Sequence, residues 1–192
     1  QRFDWTTIPG GTDYTIAYSN LYYLSAEGRM YNFARANHRT PNLLYSMDQG
    51  DTWLFGGQLT TNTSNSYNKG YYKYWSNGTD RIDFIFTEQH PRDTSTSIYH
   101  GYIKNGKTCK SDGTVVDDNI FDTTGLPSFH DFTKVFADNT VINGVAMRRC
   151  WNTDVMRYED GTIATIITAR DNNNASGSGS LNPDHSFIYC RY

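Results

Sequence analysis

Apolar and polar residues alternate with a period of two along most of this chain, and glycine-centred turns interrupt the alternation at recurring intervals. That pattern specifies short strands joined by tight turns and leaves little room for helix. A first set runs 20–24, a turn at 26–29, 30–34, 42–46, and a hairpin into a fourth strand ending near Gly57. A second runs 71–75, a turn at 76–80, 81–87, 97–103, the turn Lys104-Asn105-Gly106, and 107–110. A third runs 155–158, the turn Glu159-Asp160-Gly161, 162–169 and 185–191, with no fourth strand after it.

Self-similar sets of about four strands read as propeller blades rather than one sandwich. The expected fold is all-β, a β-propeller of four-stranded antiparallel blades, with two to three blades of a seven-bladed ring on this chain. The spacing of the turn glycines Gly28, Gly78 and Gly161 places an insertion of about 30 residues before the third set. The expected organisation is an outer strand of a preceding blade at 1–10 (Phe3-Asp4-Trp5-Thr6), blades at 15–60 and 68–113, an insertion or linker at 114–149, and an incomplete blade at 150–192. The stretch 172–182, rich in Gly, Asn and Ser, reads as a long loop. Two to three blades leave open sheet edges. The remaining blades are therefore expected from the same polypeptide or from other chains.

Composition narrows the function. A formal net charge of −3 argues against binding a phosphate backbone, so no nucleic-acid partner is expected. No apolar run approaches the roughly 20 residues of a spanning helix. The chain begins at Gln1 without a signal peptide, which suggests a processed segment of a secreted, extracellular or periplasmic protein. Asn62, Asn77 and Asn174 stand in glycosylation sequons. Three cysteines are an odd number, so at least one thiol is free, metal-bound or paired elsewhere. His100, Cys109, Cys150 and Cys190 are weak metal candidates at irregular spacing, and Asp117-Asp118 is a weak calcium candidate. A structural zinc or calcium stays open; no cofactor is required for the chemistry below.

The segment 46–53 reads Ser-Met-Asp-Gln-Gly-Asp-Thr-Trp. Asp48 can accept turn N–H groups, Gly50 permits a positive φ, and Trp53 is expected to pack between blades. Ser46, Asp48, Gly50, Thr52 and Trp53 match the Asp-box of sialidase-like propellers, a structural hairpin. Around it stand, in order, Tyr18-Ser19-Asn20, the run 27–35, Pro41-Asn42, then Arg81-Ile82-Asp83-Phe84, the run 88–92, and Ser97-Ile98-Tyr99-His100. Trp151-Asn152-Thr153-Asp154, Asp184-His185 and Tyr189-Cys190-Arg191-Tyr192 complete the series. This text resembles the later blades of the bacterial-neuraminidase-repeat propellers that include ulvan lyases and related polysaccharide lyases. The resemblance implies β-elimination on a uronate polysaccharide, with Tyr18 as a catalytic tyrosine, Arg35 as a carboxylate-binding arginine, and Tyr72 contacting substrate. The Asp-Asp-His-Asn and His-Asn contexts of the family's catalytic histidines are absent here.

Propeller topology gives a second, independent argument. Loops leaving second strands (35–39, 88–93, 169–171) and loops leading into first strands (17–20, 70–72, 149–152) open on one face, opposite the hairpin at 46–53. Arg35, His38, His90, Arg92, Arg170, Tyr18, Tyr72, Trp151 and Asn152 gather there, a set suited to an acidic polysaccharide. Each also has a structural reading: a blade-to-blade ion pair for Arg35, a packing tyrosine for Tyr18, a turn histidine for His90, a strand histidine for His100, a loop histidine for His185. Arg35, Arg92 and Arg170, one per blade, also allow the three-arginine clamp of a sialidase-type hydrolase, although no Tyr–Glu nucleophile pair is evident. A lectin-like propeller without catalysis is the third reading.

Overall fold

A computed structural model gives the structure and describes residues 3–4, 16–36, 39–61, 69–170 and 185–192. His38, Trp5, Thr6, most of the first strand expectation at 1–10, the sequons at Asn62 and Asn174, and the loop 172–182 lie outside the described residues. Phe3 and Asp4 are in no strand.

Three antiparallel sheets follow one another along the chain. The first is a meander of β1 (Ala17–Leu24), β2 (Arg29–Ala36), β3 (Thr40–Ser46) and β4 (Leu54–Gln58). The second runs β5 (Tyr72–Ser76), β6 (Ile82–Phe86), β7 (Ile98–Lys104), β8 (Lys107–Cys109) and β9 (Val115–Asp117), with β10 (Thr133–Phe136) on the upper half of β7. The third runs β11 (Thr140–Ile142), β12 (Val145–Arg157), β13 (Ile163–Arg170) and β14 (His185–Arg191). The expected all-β fold of antiparallel blades is what the chain adopts, four-stranded in the first and third sheets and six-stranded in the second.

The residues expected as an insertion, 114–149, carry β9, β10, β11 and the start of β12. The third sheet thus gains its fourth strand from upstream. The cause is local. Ile142 pairs Val145 across Asn143-Gly144, whose φ angles are +50° and +82°. A two-residue Asn-Gly loop with both φ positive matches the twist of a hairpin.

Period two explains how the sheets pack. On β6, Phe84 and Phe86 turn to the first sheet while Ile85 turns to the third, so every residue of β6 is buried. The first interface is aromatic: Tyr31, Phe33 and Leu43 meet Phe84 and Phe86, and the Phe33 and Tyr74 rings stack at 4.4 Å. The second is mostly aliphatic, with Ile85 and Ile98 against Val155, Ile163 and Ile167. Burying one such phenylalanine or isoleucine contributes about 2–3 kcal/mol. Asp83 sits in the second interface. Arg81 grips it with Nε (3.0 Å) and Nη2 (2.8 Å), and His100 Nε2 lies 3.1 Å away. Burial pushes the Asp83 pKa up, but bonds from His100 and Arg81 outweigh it and hold it below its usual value.

The 46–53 hairpin is closed by its own side chains. Asp48 accepts from the Thr52 N–H (2.8 Å) and hydroxyl (2.5 Å), and Ser46 Oγ accepts from the Gly50 N–H (2.9 Å). Gly50 has φ +96°. Trp53 departs from expectation: it is half-buried against Gly50 and belongs to neither core between sheets. The hairpins at 25–28 and 77–81 lie at this same end, where Ser25 and Ala26 N–H groups donate to the Gly78 and Thr79 carbonyls (3.2 and 2.8 Å).

Candidate glycan-binding face

At the opposite end of the sheets, side chains from all three converge around Tyr71. Its ring lies 5.8 Å from Tyr18, 4.9 Å from His90 and 5.3 Å from Trp151, and the Arg35 guanidinium carbon lies 4.8 Å over it. Arg35, His90 and Trp151 are thus joined from three sheets, as the topology predicts.

Each member is held by backbone geometry. The β1–β2 ladder slips between Ala17 and Asn20, and Tyr18 takes φ +56° at that bulge. A bulge turns one side chain out of the ladder, and Tyr18 is 61% exposed. Asn20 Nδ2 fixes the excursion by donating to the Tyr18 carbonyl (2.6 Å). Arg35, on β2, donates from Nη2 to the Lys69 carbonyl (3.3 Å), while its Nε has no hydrogen-bond partner among the described residues. Burial lowers its pKa, yet a guanidinium starts so high that it stays charged.

Tyr71 is the residue that the sequence reading passed over in favour of its neighbour. Tyr72 turns inward: its ring stacks on Phe86 at 4.9 Å and its hydroxyl bonds Thr60 (2.7 Å), although it still touches the cavity wall. Successive strand residues face opposite ways, so an inward Tyr72, opposite Phe86 in the ladder, puts Tyr71 outward. The signal was present in the alternation of Tyr72 and Tyr74. Asn152 is buried and makes no wall of the cavity. Its Nδ2 donates to the Tyr71 carbonyl (3.1 Å) and the Ile85 carbonyl (3.2 Å), which makes it a positioning residue.

His90 has both ring nitrogens engaged. Nδ1 accepts the Arg92 N–H (3.1 Å), which assigns the neutral proton to Nε2, 2.9 Å from the Tyr71 hydroxyl. Burial and the nearby Arg92 and Arg35 push its pKa down, against a smaller opposing pull from Asp93. Burial likewise raises the Tyr71 pKa, so its hydroxyl keeps its proton.

Two cavities open on this face. One of about 350 Å³ is walled by Tyr18, Arg35, Tyr71, Tyr72 and Trp151 among others. The other, about 310 Å³, is walled by Arg92, Arg149, Trp151, Arg170 and His185. Trp151 stands between them. Arg35 lies in the first wall, and Arg92 and Arg170 lie in the second. Arg149, in the loop 149–152 expected on this face, joins them although it was not among the named site candidates.

The metal candidates are dispersed. His100 is taken up by Asp83 and, through Nδ1, by the Ser111 hydroxyl at 2.7 Å. Cys109, Cys150 and Cys190 are free thiols on β8, β12 and β14, and burial pushes Cys150 up to about 12. Among the described residues, no three His, Cys, Asp or Glu side chains are grouped to hold a metal ion. No helix among them is long and apolar enough to cross a membrane.

No protein-family model matches this chain, and no curated protein matches its sequence. Solved structures do match, among them two of one enzyme. One is a PL25 ulvan lyase, described as a new family of polysaccharide lyase, with TM-score 0.65 and 14% identity over 92% of this chain. The other is that lyase bound to -[GlcA(1-4)Rha3S]-, with TM-score 0.64 and 14% identity over 92% of this chain. The chain spans 41% of the length of each. At this identity the likeness establishes fold alone: these sheets are blades arranged as in a polysaccharide-lyase propeller.

Proposed function

We propose that this chain forms part of a propeller that binds a uronate-containing polysaccharide and cleaves it by β-elimination. The observation that carries the reading is Arg35, half-buried in the wall of the Tyr18–Tyr71–Trp151 cavity with its Nε unpartnered among the described residues. A guanidinium in a cavity wall beside aromatic rings matches a carboxylated sugar that stacks and pairs at once. The solved neighbour that holds a glucuronate-containing fragment supports the same substrate class. An extracellular or periplasmic setting and the completion of the ring by further blades belong to this proposal.

Elimination requires three things. A cation neutralises the carboxylate so that the adjacent C–H becomes acidic, a base takes that proton, and the departing glycosidic oxygen receives one as the C–O bond breaks and C=C forms. Arg35 serves the first. Tyr18 serves the proton transfer: its phenol gives its proton to the leaving oxygen as it takes the proton of the sugar C–H, so that one proton moves and charge balances. Tyr71, held protonated, donates a hydrogen bond to the substrate. His90, with both nitrogens engaged, orients Tyr71.

The test is the ultraviolet absorbance of unsaturated uronate when the protein meets ulvan and other polyuronates. Arg35→Ala is expected to lower turnover about 10²–10³-fold, with Arg35→Lys recovering part of it. An unchanged rate in Arg35→Ala removes its role. A second reading, glycan binding without turnover, is favoured by the engagement of both His90 nitrogens, which leaves this histidine unavailable as a base. Binding with no absorbance rise on any polyuronate would establish that reading instead.

A further inference from the structure

His90 and His100 spend their ring nitrogens differently. The Nδ1 lone pair of His90 is taken by a backbone N–H. His100 Nδ1 instead lies 2.7 Å from the Ser111 hydroxyl, and its Nε2 lies 3.1 Å from Asp83 Oδ1. Asp83 is kept below its usual carboxylate value, so it stays ionised and accepts, and Nε2 carries the imidazole proton. Nδ1 is left as an acceptor, and the Ser111 hydroxyl donates to it. Ladder geometry builds this line. Asp83 and His100 stand diagonally across β6 and β7 on one face, because Asp83 opposes Tyr102 and Ile85 opposes His100. Thr133, opposite His100 on β10, accepts the Ser111 N–H on Oγ1 (3.0 Å) and so sets Ser111 over the imidazole. The Asp83 and His100 side chains are wholly buried, and the Tyr192 ring covers the imidazole edge-on at 5.4 Å. Ser111, in a turn closed by the Gly113 N–H on the Lys110 carbonyl (3.0 Å), is only half-buried. Carboxylate, imidazole and hydroxyl thus run from the interior to the surface, and none of the three lines either cavity around Tyr71.

A hydroxyl whose proton points at a neutral imidazole, itself oriented by a buried carboxylate, is a nucleophile with its base in place. The geometry assigns Ser111 as a nucleophile with His100 as its base, oriented by Asp83, acting on esters of short carboxylic acids. The ring nitrogens are exchanged relative to the usual serine-hydrolase order, in which the carboxylate meets Nδ1. Either nitrogen of a neutral imidazole serves as base when the other holds the proton. The Ser111 Oγ bonds to the carbonyl carbon as its proton passes to His100 Nδ1. The C–O bond to the alcohol then breaks, and the departing oxygen takes that proton. Water repeats the exchange: one of its protons goes to Nδ1, its oxygen bonds to the acyl carbon, and Ser111 leaves with the proton. The half-buried setting of Ser111 in a tight turn selects a small acyl group. Burial keeps the imidazole neutral against the pull of Asp83, and Arg81 and Arg157 add to burial. Charging the ring is therefore costly and transfer is slow, so the covalent adduct is the quantity to measure.

The test is labelling by a fluorophosphonate, which loses fluoride to a serine oxygen and stays attached. Intact mass and peptide mapping of the native chain are expected to place one label on Ser111, at about 100-fold the rate of the urea-unfolded chain. The ester para-nitrophenyl acetate is expected to acetylate the same residue as it releases nitrophenolate. Ser111→Ala, at a half-buried turn position, is expected to remove both signals. Asp83→Asn presents an amide N–H to Nε2 and moves the imidazole proton to Nδ1. Its labelling rate is expected to fall about 100-fold or more, and the ring nitrogen chemical shifts of His100 report the exchanged proton. Absence of a label on Ser111 in the native chain, which needs no variant to fold, overturns the proposal. So does a Ser111 label whose rate is the same in the folded and the unfolded chain. A native labelling rate in Asp83→Asn with the proton moved to Nδ1 overturns the role of His100 as base. None of these measurements involves a glycan, so they stand or fall separately from the elimination chemistry.

Discussion

The two ends of these sheets are built on opposite principles. At the turn end, the side-chain bonds of the 46–53 hairpin span at most four residues: Ser46 to Gly50 and Asp48 to Thr52. At the cavity end, Tyr71 is held by His90, 19 residues away, and by Asn152, 81 residues away. The hairpin satisfies itself wherever the chain puts it. The cavity end exists only when three sheets are in register, so small changes there should move stability and ligand binding together.

Gly70 offers the harshest way to break this contrast. A Cβ at this position would overlap the Thr87 carbonyl oxygen, and backbone cannot step aside as a side-chain tip can. Thr87 also bonds both backbone groups of Tyr71, accepting its N–H on Oγ1 (3.1 Å) and donating its own N–H to the carbonyl (3.2 Å). Gly70→Ala is expected to cost about 3 kcal/mol in denaturant unfolding and to weaken glycan binding with it. Native stability in this variant would mean that Tyr71 is not pinned as described.

Asn152→Ala comes next in size. It withdraws the amide shared by the Tyr71 and Ile85 carbonyls, an expected loss of about 1–2 kcal/mol. The loss is moderated because Asn152 Oδ1 itself has no hydrogen-bond partner among the described residues. A fall in stability without a fall in glycan affinity would separate the positioning role from the site.

The same contrast governs how much could be read from sequence. Strand positions in the first two sheets, the hairpin bonds of Asp48 and the turn at Asn105-Gly106 follow from residues close in the chain, and the structure carries them. So does the gathering of Arg35, His90 and Trp151, because strand direction alone decides which loops share a face. What was not legible needed long-range information. Tyr71 rather than Tyr72 stands at the centre because Phe86, on another strand, takes the Tyr72 ring. The third sheet gains β11 because Asn143-Gly144 makes a hairpin inside a stretch that the spacing of turn glycines marks as surplus. Trp53 folds onto its own turn, which its place in the motif does not reveal. Arg149 joins Arg92 only through tertiary packing.

His90 gives a smaller effect, readable in pH. Burial, then Arg92 and Arg35, hold its folded-state pKa below the ordinary 6.5, while Asp93 opposes them less strongly. The unfolded chain therefore binds a proton more readily than the folded one. The contribution of neutral His90 to stability is complete above 6.5 and is lost as pH falls below it through the folded-state value. Acid unfolding of His90→Gln is expected to be shallower across that window than that of the native chain. His100 is also pushed down by burial and titrates in the same direction, so the measurement is the difference between variant and native curves. Identical slopes would mean that the Tyr71–His90 pair is not protonation-linked to folding.

The smallest effect is expected at the other end, and it sharpens the comparison most. Bonds from the Thr52 hydroxyl and N–H, and from Ser46, hold Asp48 down at about 2, well under the ordinary 3.8. Its stabilising contribution is present above the ordinary value and is lost as pH falls from there towards 2. Asp48→Asn should flatten the acid limb in that interval and slightly lower the melting temperature at neutral pH. Glycan affinity should stay within about twofold of the native protein, since separate sites with no shared partners act independently. A turn that closes on itself has no path to the far face except through the strands that leave it. If Asp48→Asn weakened glycan binding as much as Asn152→Ala does, those strands would be transmitting the hairpin's geometry to Arg35. The self-contained character of the turn end would then be wrong.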